Sequence, residues 1–288
     1  MQRTDRAEIA RQTLDILDRG SYTAPSGRHI SIAREMAAAL AGTRLYTPEI
    51  LDDLVDAVQA SPPRPQPGQI ELAQETTLQA ASRLLADPEA GSVMILNFAS
   101  AKNAGGGFLG GSQAQEESLA RSSGLYPCLM TQPRFYDFHR HHKSMMYSDH
   151  MIHAPGVPII RDDEGALLDP PLLAAFITAP AVNAGVVVQR DKKEAREIPE
   201  VMARRTLKML ALAAHEGHDA LILGAWGCGV FRNDPEIIAA AFAHALLGPP
   251  AMIRRFARVV FAIPNFSNKD NNFDAFEAAF SPAPPPAG

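Results

Sequence analysis

Three consecutive glycines, Gly105, Gly106 and Gly107, are followed after a seven-residue spacer by Gln115, Glu116 and Glu117. Glycine accepts positive φ and carries no Cβ, so such a run lets backbone pass close to a ligand. Adjacent carboxylates can serve acid-base chemistry, where a positioned group moves protons. Successive side chains on a helix point about 100° apart, so Glu116 and Glu117 must do different jobs. Taken singly, three glycines read as a flexible turn, and two glutamates as first-turn residues favoured by the helix dipole. Their coupling, directly after an apolar strand, is what singles out the segment.

A second glycine-rich loop, Gly224 to Phe231, follows the apolar run Ala220 to Ala225 and leads to Asp234 and Pro235, an N-cap and first helical residue. Closely spaced glycines turn amides toward an anion, and the next helix N-terminus adds favourable potential. Neither loop ends in Lys followed by Ser or Thr, and no early strand-loop-helix unit carries a ribose-binding acid, so P-loop and nicotinamide chemistries are set aside. Trp226, beside a buried strand, reads as core, as do Met145 and Met146.

His139, His141, His142, His150 and His153 lie close in sequence, yet their spacing forms no zinc-protease motif and has no cysteine partner. The segment Phe135 to Lys143 reads as an aromatic and basic surface loop, and no metal site is expected. Asp162, Asp163 and Glu164 read as a turn. Cys128 and Cys228 are 100 residues apart, which leaves neither a disulfide framework nor a paired-cysteine metal site.

With 27 Lys plus Arg against 32 Asp plus Glu, the net charge of −5 gives no overall attraction to a nucleic-acid backbone. Sequence-specific nucleic-acid binding is not expected, and a ligand phosphate must be held locally. A 46% hydrophobic and 20% charged composition is that of a globular protein. Met1 to Asp18 lack the apolar run of a signal peptide, and no stretch of 18 apolar residues occurs, so membrane association is not expected and the cytoplasm is the expected location.

The elements that must position these loops follow from periodicity. Helices are expected over Arg3 to Asp18, over Ile30 to Leu40, and from Pro48, capped by Thr47, to just before Ser61. Four prolines within 61–68 mark a connector. Beyond it the pattern predicts a helix from Glu71 to Ala86, a strand from Ser92 to Phe98, and a helix including Gln115 to Arg121. Strands are expected within His153 to Ile160, within Phe176 to Val182, and at Val186 to Val188. A helix from Pro199 to about His215, a strand near Ala220 to Ala225, a helix from Pro235 to Leu247 and a strand from Phe256 to Ile263 complete an α/β order with its site at strand ends. The organisation read from this is an N-terminal helical extension (1–60), a connector (61–68), the main domain (69–280) and a flexible tail (281–288).

The segment Asn97 to Glu117 resembles the bacterial-type poly(ADP-ribose) glycohydrolases, whose signature is three glycines, a spacer of six to eight residues, then Gln-Glu-Glu. The resemblance spans nearly the whole chain and implies a macrodomain-like three-layer α/β/α sandwich with a mixed central sheet and an N-terminal helical extension. It implies hydrolysis of ribose–ribose O-glycosidic bonds in poly(ADP-ribose), releasing ADP-ribose, without cofactor or metal. Glu117 matches the catalytic glutamate and Glu116 the residue that binds ribose hydroxyls. Asn103 matches a ribose contact, Gly105, Gly106 and Gly107 line the substrate, and Gln115 supports the arrangement through its amide. Gly227, Cys228, Gly229 and Val230 match the diphosphate loop, and Phe231 the aromatic residue lying over the distal ribose or near the diphosphate. Asn265 and Phe266 fall where macrodomains approach adenine. The substrate partner implied is poly(ADP-ribose) or ADP-ribosylated protein. Two alternatives stay open: a binding module for ADP-ribose without turnover, and a hydrolase of another ADP-ribose linkage.

Overall fold

A computed structural model describes residues 1–249, 251–265 and 271–281. Helix α1 (Arg3–Arg19) buries Ala10, Thr13 and Ile16, and Gly20, at φ 69°, turns its end in the left-handed conformation that glycine tolerates. An antiparallel ribbon of β1 (Ser21–Thr23) and β2 (His29–Ser31) precedes α2 (Ala33–Gly42). The helix expected from Ile30 therefore starts later, because Ile30 pairs with Tyr22 across the ribbon. After β3 (Arg44–Tyr46), helix α3 (Pro48–Ala60) has the expected start: the Thr47 side chain accepts from the Ile50 amide, and Leu51, Leu54 and Val58 are buried.

Residues 61–68 run against the segment 252–255. Prolines donate no amide, and here the chain's carbonyls take their partners from arginines instead: Arg254 donates to the carbonyls of Arg64 and Pro65, Arg255 to those of Ser61 and Pro62. The single helix expected from Glu71 to Ala86 is in fact strand β4 (Gln69–Ala73) followed by α4 (Thr77–Leu85), with Thr76 and Gln79 forming a reciprocal cap. β4 exists because it pairs in parallel with Arg258–Ala262, a partner no local pattern reveals.

Strand β5 (Val93–Phe98) is buried over its first five residues, as its unbroken apolar run requires. It is followed by α5 (Gln115–Ser122), α6 (Leu125–Met130) and α7 (Pro133–His141). The expected surface loop at Phe135 to Lys143 is thus mostly helix, with Phe135, Tyr136 and His139 buried. β6 (Met151–Arg161) and β7 (Leu167–Ala179) form a long antiparallel hairpin with Asp162 to Glu164 in its turn. Val186 to Val188, expected as a strand, lie in α8 (Ala184–Arg190): the Asn183 carbonyl collects the amides of Val186 and Val187, and Val188 is 53% exposed, an environment unlike a two-sided buried strand. α9 (Ile198–His215), β8 (Ala220–Leu223), α10 (Pro235–Leu247), β9 (Arg258–Ala262) and α11 (Asn272–Phe280) complete the described chain.

The main sheet has seven strands in the order β3-β6-β7-β5-β8-β9-β4. Pairs among β7, β5, β8, β9 and β4 are parallel, whereas β6 runs antiparallel to both neighbours, so the sheet is mixed. One apolar layer joins the sheet to α3, α9, α10 and α11, through residues such as Leu54, Met209, Phe242 and Phe276. The other joins its opposite face to α2, α4, α6 and α7 through Met36, Leu84, Leu129 and Phe135. This is the three-layer α/β/α sandwich, and burial on both faces is its main source of stability. Residues 1–60 do not sit apart from it: β3 extends the sheet and α3 packs on α9. The tail residues 282–288 and Phe266 lie outside the described residues.

Candidate active site

A cavity of about 870 Å³ opens at the ends of β5, β8 and β9, lined by Phe98, Ser100, Gly106, Gly107, Glu116, Glu117 and the segment Ala225 to Phe231, whereas Gly105 is buried behind it against Phe108 and Ala120. Both sequence-identified loops therefore meet in one place, at the strand ends of a largely parallel sheet.

The carboxylate side is held from three directions. Gln115 opens α5 with its amide committed to β5: Oε1 accepts from the Phe98 amide at 2.9 Å, and Nε2 donates to the Leu96 carbonyl at 2.7 Å and to Thr77 Oγ1 at 3.3 Å. Gln115 thus fastens the helix to the strand, and its side chain serves the protein rather than a ligand. Glu116, next on the helix, is 3% exposed and accepts from the Ser100 amide at 2.6 Å and from Asn97 Nδ2 at 3.2 Å. Burial pushes its carboxyl up to about 8, against the pull of those donors. Glu117, half-buried, accepts from the Gly107 amide at 3.0 Å. The two neighbours differ as the helical rotation demands, one sealed against β5 and one turned to the glycine loop.

Gly106 shows why that loop carries glycine. At φ 58° an added Cβ would fall 2.4 Å from Glu117 Oε1 and 3.3 Å from Glu116 Oε2, so the backbone occupies the space beside both carboxylates. Asn103, exposed on the cavity lining, accepts from the Gly106 amide with its backbone carbonyl.

The opposite wall is built otherwise. Gly227, at φ 77°, presses on Ala181 and on Asn233, whose Nδ2 would lie 2.6 Å from an added Cβ. Asn233 is buried and ties the loop down, donating from Nδ2 to the carbonyls of Val182 (2.7 Å) and Gly227 (3.0 Å). The amides of Trp226 and Cys228 close turns within the loop. Those of Gly227, Gly229, Val230 and Phe231 have no acceptor among the described residues. Four main-chain donors thus stand on the cavity wall ahead of the N-terminus of α10, an arrangement of the kind that suits an anion. Burial pushes the Cys228 thiol up to about 12, so it is no thiolate nucleophile. Phe231 lines the cavity beside Tyr147 (ring centroids 6.0 Å). Tyr147 and Arg232 both hold positive φ, so backbone strain gathers around this aromatic residue.

Trp226 is fully buried and donates from its indole nitrogen to the Ala179 carbonyl, a core residue as its position predicts. Of the five histidines, His139, His142 and His150 gather around the Phe138 ring. His139 Nδ1 meets the Phe135 carbonyl, while His139 Nε2 and His150 Nδ1 share the Ser148 hydroxyl. His153 instead faces His218, Nε2 to Nε2 at 2.9 Å, elsewhere in the fold. Among the described residues no three His, Cys, Asp or Glu side chains gather as a metal site, and no helix is long and apolar enough to cross a membrane.

Several residues of the site were not marked by sequence. Asn97 and Ser100 hold Glu116, and the one available signal was a buried amide ending an apolar strand. Asp163 does lie in a turn, but it also reaches the cavity wall, where it accepts from Thr76 Oγ1 at 2.5 Å and burial pushes its carboxyl up. Asn265 is exposed and is not among the lining residues, which at that end include Ile263, Pro264, Asn271 and Asn272.

Residues 10–162 match the family model described as "Microbial-type PARG, catalytic domain". The chain is similar to the crystal structure of a poly(ADP-ribose) glycohydrolase (PARG) from Thermomonospora curvata: 48% identical, with a TM-score of 0.91, over 96% of this chain and 100% of that one. A structure from the same organism bound to the inhibitor ADP-HPD is 47% identical, with a TM-score of 0.89 and the same coverage. A Deinococcus radiodurans poly(ADP-ribose) glycohydrolase in complex with ADP-ribose is 41% identical over 85% of this chain and 96% of that one, with a TM-score of 0.78. Comparison with curated proteins gives no match. A macrodomain-like sandwich, a glycine loop folded around two glutamates and a family match over more than half the chain agree, and the chain belongs to the microbial-type PARG family.

Proposed function

We propose that the cavity binds the terminal ADP-ribose of poly(ADP-ribose), with the diphosphate on the amides of Gly227, Gly229, Val230 and Phe231 and the scissile ribose beside Glu117. The chain hydrolyses ribose–ribose O-glycosidic bonds and releases ADP-ribose. The observation that carries the assignment of roles is the contrast within one cavity between a carboxylate on its wall and main-chain donors without acceptors.

Cleavage needs a proton on the leaving 2′ oxygen, an oxocarbenium-like transition state, and removal of a proton from the attacking water. Glu117 does both transfers: it protonates the departing oxygen as the glycosidic bond breaks, then takes a proton from water as that water bonds to the anomeric carbon. The Gly107 amide keeps Oε1 in place through both steps. Glu116 is largely protonated at neutral pH, since burial raises its carboxyl to about 8. It holds the ribose hydroxyls against the fixed amide of Ser100 and Asn97. Asn103 contributes a ribose contact from the rim, and Phe231 packs on the distal ribose.

One observation favours a second reading: a carboxyl held protonated at neutral pH is what a general acid requires, which would give Glu116 the proton donation. Turnover of poly(ADP-ribose) by Glu116→Gln and Glu117→Gln, with ADP-ribose affinity measured calorimetrically, separates the two. Loss of turnover with retained affinity in Glu117→Gln supports the first reading; a Glu117→Gln enzyme that still turns over, beside an inactive Glu116→Gln, supports the second. Parallel assays on protein-linked mono(ADP-ribose) and O-acetyl-ADP-ribose test other linkages, and failure to release ADP-ribose from polymer would leave a binding module. The net charge of −5 argues against nucleic acid as a partner, and two cysteines without a disulfide framework favour a cytoplasmic setting.

A further inference from the structure

The amide that orients Glu117 belongs to a loop, and that loop is held by a helix more than a hundred residues away in sequence. Gly105 to Ser112 is closed by its own turn bonds, Gly110 N to Gly107 O, Gly111 N to Phe108 O and Ser112 N to Gly107 O. The carbonyls of Gly110 and Gly111 take no main-chain amide among the described residues. Instead Arg3 Nε donates to Gly110 O at 2.8 Å and Arg6 Nε donates to Gly111 O at 2.8 Å. The two backbones touch: a Cβ on Gly111 would lie 2.0 Å from the Arg3 carbonyl oxygen.

The same helix α1 also grips the element that carries the glutamates. Ala10 packs with Phe108 of the loop and Ala120 of α5 in a small core of their own. One turn further on, buried Thr13 donates to the Arg121 carbonyl at 2.7 Å and accepts from Arg161 Nε at 2.9 Å. Loop and helix are thus fixed to a common rod, which sets the distance between the Gly107 amide and the Glu117 carboxylate. Neither Arg3 nor Arg6 has a carboxylate partner among the described residues, so their guanidinium groups serve carbonyls alone.

We infer that Arg3 and Arg6 are positioning residues for catalysis, acting through the Gly105 to Ser112 loop on the orientation of Glu117. The inference rests on the reading of Glu117 as the acid and base. It predicts a loss in kcat rather than in binding, because the diphosphate wall and the Gln115 clamp owe nothing to these two bonds.

The test measures kcat and KM on ADP-ribose oligomers, ADP-ribose affinity by calorimetry and the melting temperature, all on the full chain. The Arg3→Ala, Arg6→Ala double variant should lose about tenfold or more in kcat, since small misplacements of a reacting group are costly. Its KM and ADP-ribose affinity should stay within about twofold, the scale expected when uniform binding is untouched. The double Lys variant, which still offers one donor per carbonyl, should recover part of the loss. Arg11→Ala, which removes only the exposed pair with Glu8 on the same helix, should match wild type. A wild-type kcat in the double Ala variant overturns the inference, as does a parallel fall in kcat, affinity and melting temperature. Glu117→Gln, run alongside, keeps the two levels apart: if it turns over normally the functional reading fails, and if it is inactive while the double Ala variant is normal, only this inference fails.

Discussion

The two glycine loops share a composition and differ in what fills the space their glycines leave. At Gly106 the vacant Cβ position is taken by the protein itself, within 2.4 Å of Glu117 Oε1, and the Gly107 amide is already spent on that carboxylate. At Gly229 an added Cβ would meet nothing within 4 Å among the described residues, and the amides of Gly227, Gly229, Val230 and Phe231 have no acceptor among them. The first loop is folded around the protein's own Glu117 side chain, and the second keeps its amides free of any partner among the described residues. A glycine run therefore does not announce a phosphate site; the partner of its amides decides.

This contrast sorts the expected effects. Glu117→Gln removes the proton carrier and should lower kcat by about 10² to 10⁴ while ADP-ribose binding persists; normal turnover of poly(ADP-ribose) would dissolve the distinction between the loops. Gly106→Ala forces a methyl against the carboxylates at positive φ, and we expect about 10²-fold loss in kcat with little change in KM, read from steady-state kinetics. Gly227→Ala, strained at φ 77° and pressed on Asn233, should act on the other side, weakening ADP-ribose affinity by about tenfold or more in calorimetry. Phe231→Ala should cost a smaller factor, about threefold to tenfold in affinity, with only a small drop in the urea midpoint because the half-buried ring packs against the edge of the core.

The smallest expected effect is on stability against pH. Glu116 is buried, and its folded-state value of about 8 stands above the ordinary 4.5, so the folded protein holds this proton more tightly than the unfolded chain. Its contribution is fully present below about pH 4.5 and is lost as pH rises through about 8. Glu116→Gln, neutral at every pH, should therefore gain melting temperature relative to wild type between about pH 5 and about pH 9. A difference that stays flat, or runs the other way, would mean that the carboxyl is ionised in its pocket.

Much of this site is legible in the residue order alone. The pairing of Gly105 to Gly107 with Gln115 to Glu117, the Thr47-Pro48 helix start and the continuous apolar strand Val93–Phe98 are encoded within a few residues of one another, where propensity, capping and spacing act. The role of Gln115 was only half legible: its type announced an amide, but that both ends of the amide would be taken by β5 and Thr77 depended on where the helix docked.

The inventory of chemistry and the local elements that carry it follow from residue order, because these rest on short-range sterics and hydrogen bonding. Tertiary structure alone decided which partner each group met. Gln69–Ala73 became a strand because β9 lay beside it, and Val186 to Val188 became helical because one face was left to solvent. Asn97 and Ser100 came to hold Glu116, and Arg3 and Arg6 came to rest on the glycine loop. Pairing across long stretches of chain is set by the burial of whole layers, and no window of neighbouring residues contains that information.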